Sequence, residues 1–166
     1  MMRTGRFLLL PLWLVIAFGA TCVFVGLFTF RGVILGIFLP MPDIDTLSAR
    51  HLVKTYYQRL AIGDTAGANQ CLSDDYRRAL NDTLNAPNTI HSDPLWISDV
   101  NISKGAHIRM QGINSTNHDE LQFVVQYNAW HIGSMSYLSG RELGFVYVAK
   151  ETKKSPWRII SIGCGP

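Results

Sequence analysis

Few side chains in this sequence could do chemistry inside a cavity. Tyr56, Tyr57, His107, Tyr127, His131 and Tyr147 can donate or exchange a proton, and His118 is followed directly by Asp119. A pocket enzyme needs a carboxylate or imidazole whose pKa is moved by burial, with a second polar group in reach. Alternation along the strand-like segments puts no Asp or Glu on an apolar face. Asp99 shares a face with Asn101 and Ser103, which suits a solvated residue. Asp119 and Glu120 precede a strand as turn residues, and His118-Asp119 is too local to form a dyad. His51 lies beside the apolar stripe of a helix, at a partly exposed position. Tyr127 and Tyr147 sit among Leu, Phe, Val and Ala, as core aromatics whose hydroxyls reach the rim do. Trp130-His131 closes a strand, where it could line a pocket mouth. Tyr56, Tyr57, Tyr127, Trp130, His131 and Tyr147 are thus the candidates for lining a ligand pocket. No catalytic residue is assigned.

Recognisable cofactor chemistry is missing. There is no Cys-x-x-Cys or His-x-x-x-His spacing, no phosphate-binding or dinucleotide loop and no Gly-x-Ser-x-Gly. No metal site and no cofactor are expected. Cys22 falls in an apolar run. Cys71 and Cys164 could pair across a long loop, which would add a few kcal/mol if the geometry permits, or could stay as separate thiols. Asn81, Asn101 and Asn114 begin glycosylation sequons that matter only in a eukaryote.

Charge points to where such a chain would sit. Fifteen basic and 12 acidic side chains give +3, and Arg3, Arg6 and Arg31 are the only charged residues before Asp43. Beyond residue 42 the two signs balance. No basic stripe tracks along a face, so no nucleic-acid partner is expected. Phe7 to Phe30 is uncharged over 24 residues, 15 of them Leu, Ile, Val or Phe. As a helix this run would reach about 36 Å, against about 30 Å of hydrocarbon. The expectation is a transmembrane helix, with a cytoplasmic tail over 1–6, an anchor over 7–39 (core 7–30) and a linker over 40–46. An extracytoplasmic domain follows over 47–166. The expected partner of residues 7–39 is the lipid bilayer. Residues 31–39 either continue the span or lie at the interface. Arg3 and Arg6 would keep the N-terminus in the cytoplasm. Cleavage after Ala17-Phe18-Gly19 and lipidation of Cys22 are competing readings, disfavoured because the apolar run continues past both.

Several elements must hold the candidates in place. Ala49, Leu52, Val53, Tyr56, Tyr57 and Leu60 recur at helical spacing, with Asp45 or Thr46 as cap and Gly63 as stop. Asp64 or Thr65 caps a short second helix. Ser73-Asp74-Asp75 opens a third, ending near Asn81. After a polar loop over 85–94 the period falls to 2. Trp96, Ser98, Val100 and Ile102 alternate with Ile97, Asp99, Asn101 and Ser103, and Ala106 to Ile113 reads as a returning strand. Leu121 to Trp130 presents Leu121, Phe123, Val125, Tyr127 and Ala129 on one face. Leu143, Phe145, Tyr147 and Ala149 mark the next strand, and Trp157 to Ile162 the last. Helices first, then short-linked strands, make an α+β fold: three helices on a curved antiparallel sheet.

Two blocks carry a resemblance. Leu52-Val53, Tyr56-Tyr57, Leu60, Gly63-Asp64, Ala68 and Leu72-Ser73 resemble the opening of nuclear transport factor 2-like (cystatin-like, SnoaL-like) domains. The ending Trp157-Arg158-Ile159-Ile160-Ser161-Ile162-Gly163-Cys164-Gly165-Pro166 resembles that of the bacterial family called domain of unknown function 4829. Cys164 stands where Thr or Ser is expected. The resemblance implies a cone with a pocket and an envelope location in a bacterium, on the outer face of the cytoplasmic membrane. It implies no single activity. The function expected is non-catalytic: binding of a small ligand in the cone or of a protein partner, including a homodimer through the sheet face. A structural part of a secretion or conjugation assembly and a small isomerase- or hydratase-type enzyme are the alternatives.

Overall fold

A computed structural model describes residues 12–29, 35, 38–84, 96–108, 119–130 and 139–164. The chain divides into two compact units, Met1–Arg31 and Gly32–Pro166. The first contains helix α1 (Leu12–Thr29). The Thr21 hydroxyl donates to the Ala17 carbonyl at 2.9 Å, which satisfies it within the helix. The large apolar side chains of α1 point outward around its circumference, Phe18 and Phe24 being 74% and 70% exposed.

The expected transmembrane helix is corrected here. At 1.5 Å per residue an 18-residue helix reaches about 27 Å, short of a hydrocarbon core of about 30 Å. Among the described residues no helix is long and apolar enough to cross a membrane. Residues 7–11 and most of 30–37 lie outside the described residues.

The second unit runs from a 3-10 turn (Ile44–Thr46) through α2 (Ala49–Ile62), α3 (Thr65–Gln70) and α4 (Asp74–Leu84). The strands follow: β1 (Trp96–Ile102), β2 (Ala106–His107), β3 (Asp119–Trp130), β4 (Gly140–Lys150) and β5 (Arg158–Cys164). The apolar spacing of α2 buries Leu52, Val53 and Tyr57 as expected. Its cap is Ser48, which accepts from the His51 amide. Asp45 and Thr46, expected to cap it, lie instead in the 3-10 turn before it, which Asp43 caps. Gly63 stops α2 with φ 81°, a left-handed turn that costs a glycine nothing. Asp64 then caps α3 by accepting from the Gly67 amide at 2.9 Å. Ser73 accepts from the Tyr76 amide at the head of α4, where Asp74 and Asp75 meet the positive end of the helix dipole.

The strands form one antiparallel sheet in the order β1-β3-β4-β5, with β2 also on β3. The α+β architecture with helices before strands is as the sequence reads. Three details differ. β2 is two residues long and pairs with Leu121 and Gln122 of β3, so it continues beyond β1 along the same edge instead of returning against β1. In β1, Ile97 and Ile102 are both buried although five residues apart. The register shifts between Ser98 and Asn101, and Asp99 takes φ 53°, so one extra residue reverses the alternation. In β4 the inward face is Gly144, Val146 and Val148, not Leu143, Phe145 and Tyr147; Ala149, on the same face as Tyr147, is also buried, and β5 carries an extra residue, Ile160, opposite Tyr147 and Val148. Valines stiff at χ1 pack against Phe123 on that face, and their larger neighbours turn outward.

The core lies between this inner sheet face and α2: Phe123, Val125, Val146, Val148 and Ile159 meet Leu52, Val53, Tyr57 and Leu72. Residues outside the sheet bond to both of its edges, at several groups of β5 and at one of β1. The Ile159 amide donates to Cys71 and its carbonyl accepts from Ser73. Farther along β5, the Tyr76 hydroxyl accepts from the Ile162 amide at 3.1 Å. On the other edge, Arg50 donates to the Ile102 carbonyl at 3.0 Å. The β5 edge, so bonded, is a poor template for an added strand. Tyr76→Phe is expected to cost about 1 kcal/mol by leaving the Ile162 amide without its acceptor. A lower urea midpoint at unchanged slope would register it.

Candidate functional site

The expected pocket residues separate onto the two faces of the sheet. On the inner face Tyr57 is 2% exposed. Its ring centroid lies 5.2 Å from Tyr56, edge to face, and 5.2 Å from Tyr127, tilted. Opposite stands Gly144, where an added Cβ would be 3.4 Å from the Tyr57 hydroxyl oxygen. A Cβ there would make ordinary contact with the ring. A space that could have been a cone pocket is filled by the protein's own ring.

The buried polar side chains among the described residues are Thr55 and Arg59. Arg59 donates to the Asp64 carboxylate at 3.1 Å and to the Pro40 carbonyl at 2.8 Å. Asp64 is already the cap of α3, so one guanidinium ties the end of α2, the start of α3 and the incoming linker together. That is a clamp rather than an acid-base pair. Cys71 is buried and free. Its carbonyl accepts from Ile159, and Cys164 lies five residues farther along β5, about 16 Å away at the rise of a strand. A bridge needs Cα atoms within about 7 Å, so the Cys71–Cys164 pairing allowed by the sequence is not made.

The outer face is assembled from alternate residues of β1, β3 and β4. Trp96 pairs directly with Trp130, Leu143 with Gln126, Phe145 with Val124 and Tyr147 with Gln122. Trp96, Trp130 and Leu143 are 46%, 64% and 40% exposed. Polar groups are held in place around them. Gln122 donates to the Tyr147 hydroxyl at 2.9 Å, Arg141 to Gln126 at 2.7 Å and Asn128 to Asp99 at 2.7 Å. A polar row of Ser98, Asn128 and Arg141 separates the tryptophan pair from Leu143, Phe145 and Tyr147, so the face carries two apolar clusters beside fixed polar groups, a mixture found in protein-binding surfaces. A separate open groove of about 580 Å³ runs between the head of α4 and the β4–β5 turn. Of its charges, Arg78 pairs with Asp75, Asp74 with Arg77 and Arg158 with Asp45, and Glu151 lies beside them.

Residues 50–163 match the family described as Domain of unknown function (DUF4829). The chain belongs to this family. No curated protein and no solved structure matches it. The DUF4829 match runs from the first turn of α2 into β5, so it contains the clamp, the filled inner face and the outer face alike.

Within the DUF4829 domain the six pocket candidates do not form one site. Tyr56, Tyr57 and Tyr127 meet on the inner face, Trp130 and Tyr147 are on the outer face, and His131 lies outside the described residues. His107 is exposed, and Asp119 and Glu120 are strand residues rather than a turn. Trp96, Leu143 and Gln122 were not anticipated. The available signal was the polar alternation Gln122, Gln126, Asn128, which marks the outward face of β3 and, through pairing, that of its neighbours.

The Cys71 thiol has a measurable consequence. Burial pushes it from 9.0 up to about 11, against a smaller opposing pull from Arg158 and Arg59. At pH 8 its thiolate fraction is then about a hundredfold below that of an ordinary thiol, and iodoacetamide should modify it correspondingly more slowly in the folded chain than in urea. Because the folded value is the raised one, this group's contribution to stability is complete below about pH 9 and is lost as pH climbs through about 11. Peptide mass mapping of Cys71 over a pH series checks both statements.

Proposed function

We propose that this chain is a non-catalytic docking protein held at a bacterial membrane by its apolar N-terminal segment. The outer sheet face receives a protein partner. The observation that carries this is the division of the sheet. Its inner face is filled by Tyr57, while Trp96, Trp130 and Leu143 lie open on the outer one. The bonded groups of β5 turn a partner away from strand addition at that edge. The outer face's two apolar clusters flank a polar row of Ser98, Asn128 and Arg141, so the partner surface it fits is apolar opposite each cluster and polar between them, on another protein or on a second copy. The nuclear transport factor 2-like superfamily is the fold we infer, supported by helices preceding an antiparallel sheet.

Attachment to lipid is supported by α1. Its side chains are apolar all round, which in water would leave seven large residues (Val15, Ile16, Phe18, Val23, Phe24, Val25 and Leu27) more than half exposed. Transferring them to lipid is worth of order 10 kcal/mol.

The pair Leu143→Asp and Trp130→Ser tests the docking reading. Both positions are exposed, so urea midpoints should stay within about 0.5 kcal/mol of wild type. Complexes of the chain, extracted from its own cells in mild detergent and weighed by native mass spectrometry, should disappear. Complexes that survive both substitutions contradict the assignment.

A further inference from the structure

We propose that Trp96, Trp130 and Asp99 form a subsite on the outer sheet face that takes an arginine side chain of the docked protein partner. The proposal rests on the docking reading above and names what that partner must present. Trp96 and Trp130 are direct cross-strand partners, so their side chains rise on one face with Cβ atoms about 5 Å apart. Both are open to solvent. A pair of open indoles offers π faces to a cation. The next outward pair along these strands is Ser98 with Asn128, about 7 Å away at the rise of a strand. There the bulge brings in a carboxylate. Plain alternation would turn Asp99 to the side opposite Ser98. With φ 53° it turns back instead, and its Oδ2 accepts from the Asn128 amide at 2.7 Å and from the Ser98 hydroxyl at 3.2 Å. Asp is one of the few residues besides glycine that takes this backbone conformation readily.

The Asp99 carboxylate is exposed. Among the described residues it pairs with no cation, and its Oδ1 accepts no hydrogen bond. The chain's own cation on this face does not close the site. Arg141 lies two strands away on β4, about 10 Å by strand spacing, and donates to Gln126 at 2.7 Å. Indole faces beside one open acceptor oxygen select among cations. A quaternary ammonium would meet the indoles but has no N–H to give to Oδ1. A lysine ammonium is a compact, strongly hydrated charge. A guanidinium is planar and weakly hydrated, so it can lie on an indole while donating in its own plane to the carboxylate. Covered by the partner, such a stacked cation is worth more than at an exposed site.

In the experiment the full chain, in detergent, is titrated with the blocked peptide glycyl-arginyl-glycine and with its lysine and citrulline counterparts, while NMR follows the indole N–H signals of Trp96, Trp130 and Trp157. Trp157, already under the Lys150 ammonium, is the internal reference. The expected result is saturable shifts at Trp96 and Trp130 with the arginine peptide, at least about threefold tighter than with lysine or with neutral citrulline. Asp99→Asn keeps an acceptor for Asn128 and tolerates the same backbone, but lacks the charge. It should bring arginine down to the citrulline level with the urea midpoint near that of wild type. Arginine binding no tighter than citrulline, or unchanged in Asp99→Asn, overturns the subsite. Lysine binding as tightly as arginine overturns the assignment to a guanidinium. The same preparations are weighed by native mass spectrometry. Complexes that vanish with Leu143→Asp while arginine shows no preference refute the subsite alone. Complexes that survive both Leu143→Asp and Trp130→Ser refute the docking reading and leave the arginine without a carrier, which overturns the two together.

Discussion

Tyr57→Ala is expected to remove about 3–5 kcal/mol of folding stability, the largest loss from any single truncation in this domain. The ring is 2% exposed and contacts Tyr56 and Tyr127 at 5.2 Å each. Its removal costs the transfer of a large aromatic side chain, two aromatic pairings and the cavity left beneath the sheet. Gly144 cannot fill that cavity, since it brings no side chain toward it. A domain of this size holds about 5–15 kcal/mol in total, so the variant should be close to unfolding at ambient temperature. Tyr57→Phe keeps the ring and should cost no more than about 1.5 kcal/mol. Urea unfolding followed by circular dichroism separates the two. A loss below about 1 kcal/mol for Tyr57→Ala would mean that the ring is not filling the inner face and would reopen the ligand-pocket reading.

Arg59→Met should cost about 3 kcal/mol, despite keeping most of the side chain's bulk. Arg59 is 6% exposed and Asp64 is largely covered, so removing the guanidinium strands a carboxylate that water reaches poorly. The Pro40 carbonyl loses its donor in the same step. Arg59→Lys retains the charge but cannot fork to a carboxylate and a carbonyl at once, and should lose a smaller part of the same energy. A double-mutant cycle with Asp64→Asn isolates the ion pair from the contact to Pro40. Additive losses would show that Arg59 packs without pairing.

Much of this architecture is legible in the residues. The α2 stripe, its glycine stop, the Asp64 cap and the acidic start of α4 are set by local chemistry, and local chemistry survives folding. The inner face of β3 is legible too, because Leu121, Phe123, Val125 and Ala129 alternate cleanly with amides. β4 is misread because both of its faces are apolar. Leu143, Phe145 and Tyr147 are larger than Gly144, Val146 and Val148, so size favours the wrong face. What decides the matter is long-range: pairing with β3 sets Gly144 and Val146 opposite Val125 and Phe123, and residue spacing within β4 cannot express that. β1 fails for a different reason, since one residue at positive φ reverses its alternation. The candidate site inherits both errors. Tyr127 and Tyr147 seem alike in sequence yet lie on opposite faces, and Trp96 becomes a partner of Trp130 only through strand pairing. The apolar length of residues 7–30 is plain in the sequence, but the helix described there is shorter than that run.

The central claim is that a protein partner covers the outer sheet face. Its most direct measurement is site-specific photo-crosslinking in living cells, with a photoreactive amino acid at Leu143 and, separately, at Lys54 on the exposed side of α2. A discrete protein adduct at 143, formed by a second copy or by another polypeptide and absent at 54, is the result expected. No adduct at 143, or the same adducts at both positions, would contradict it.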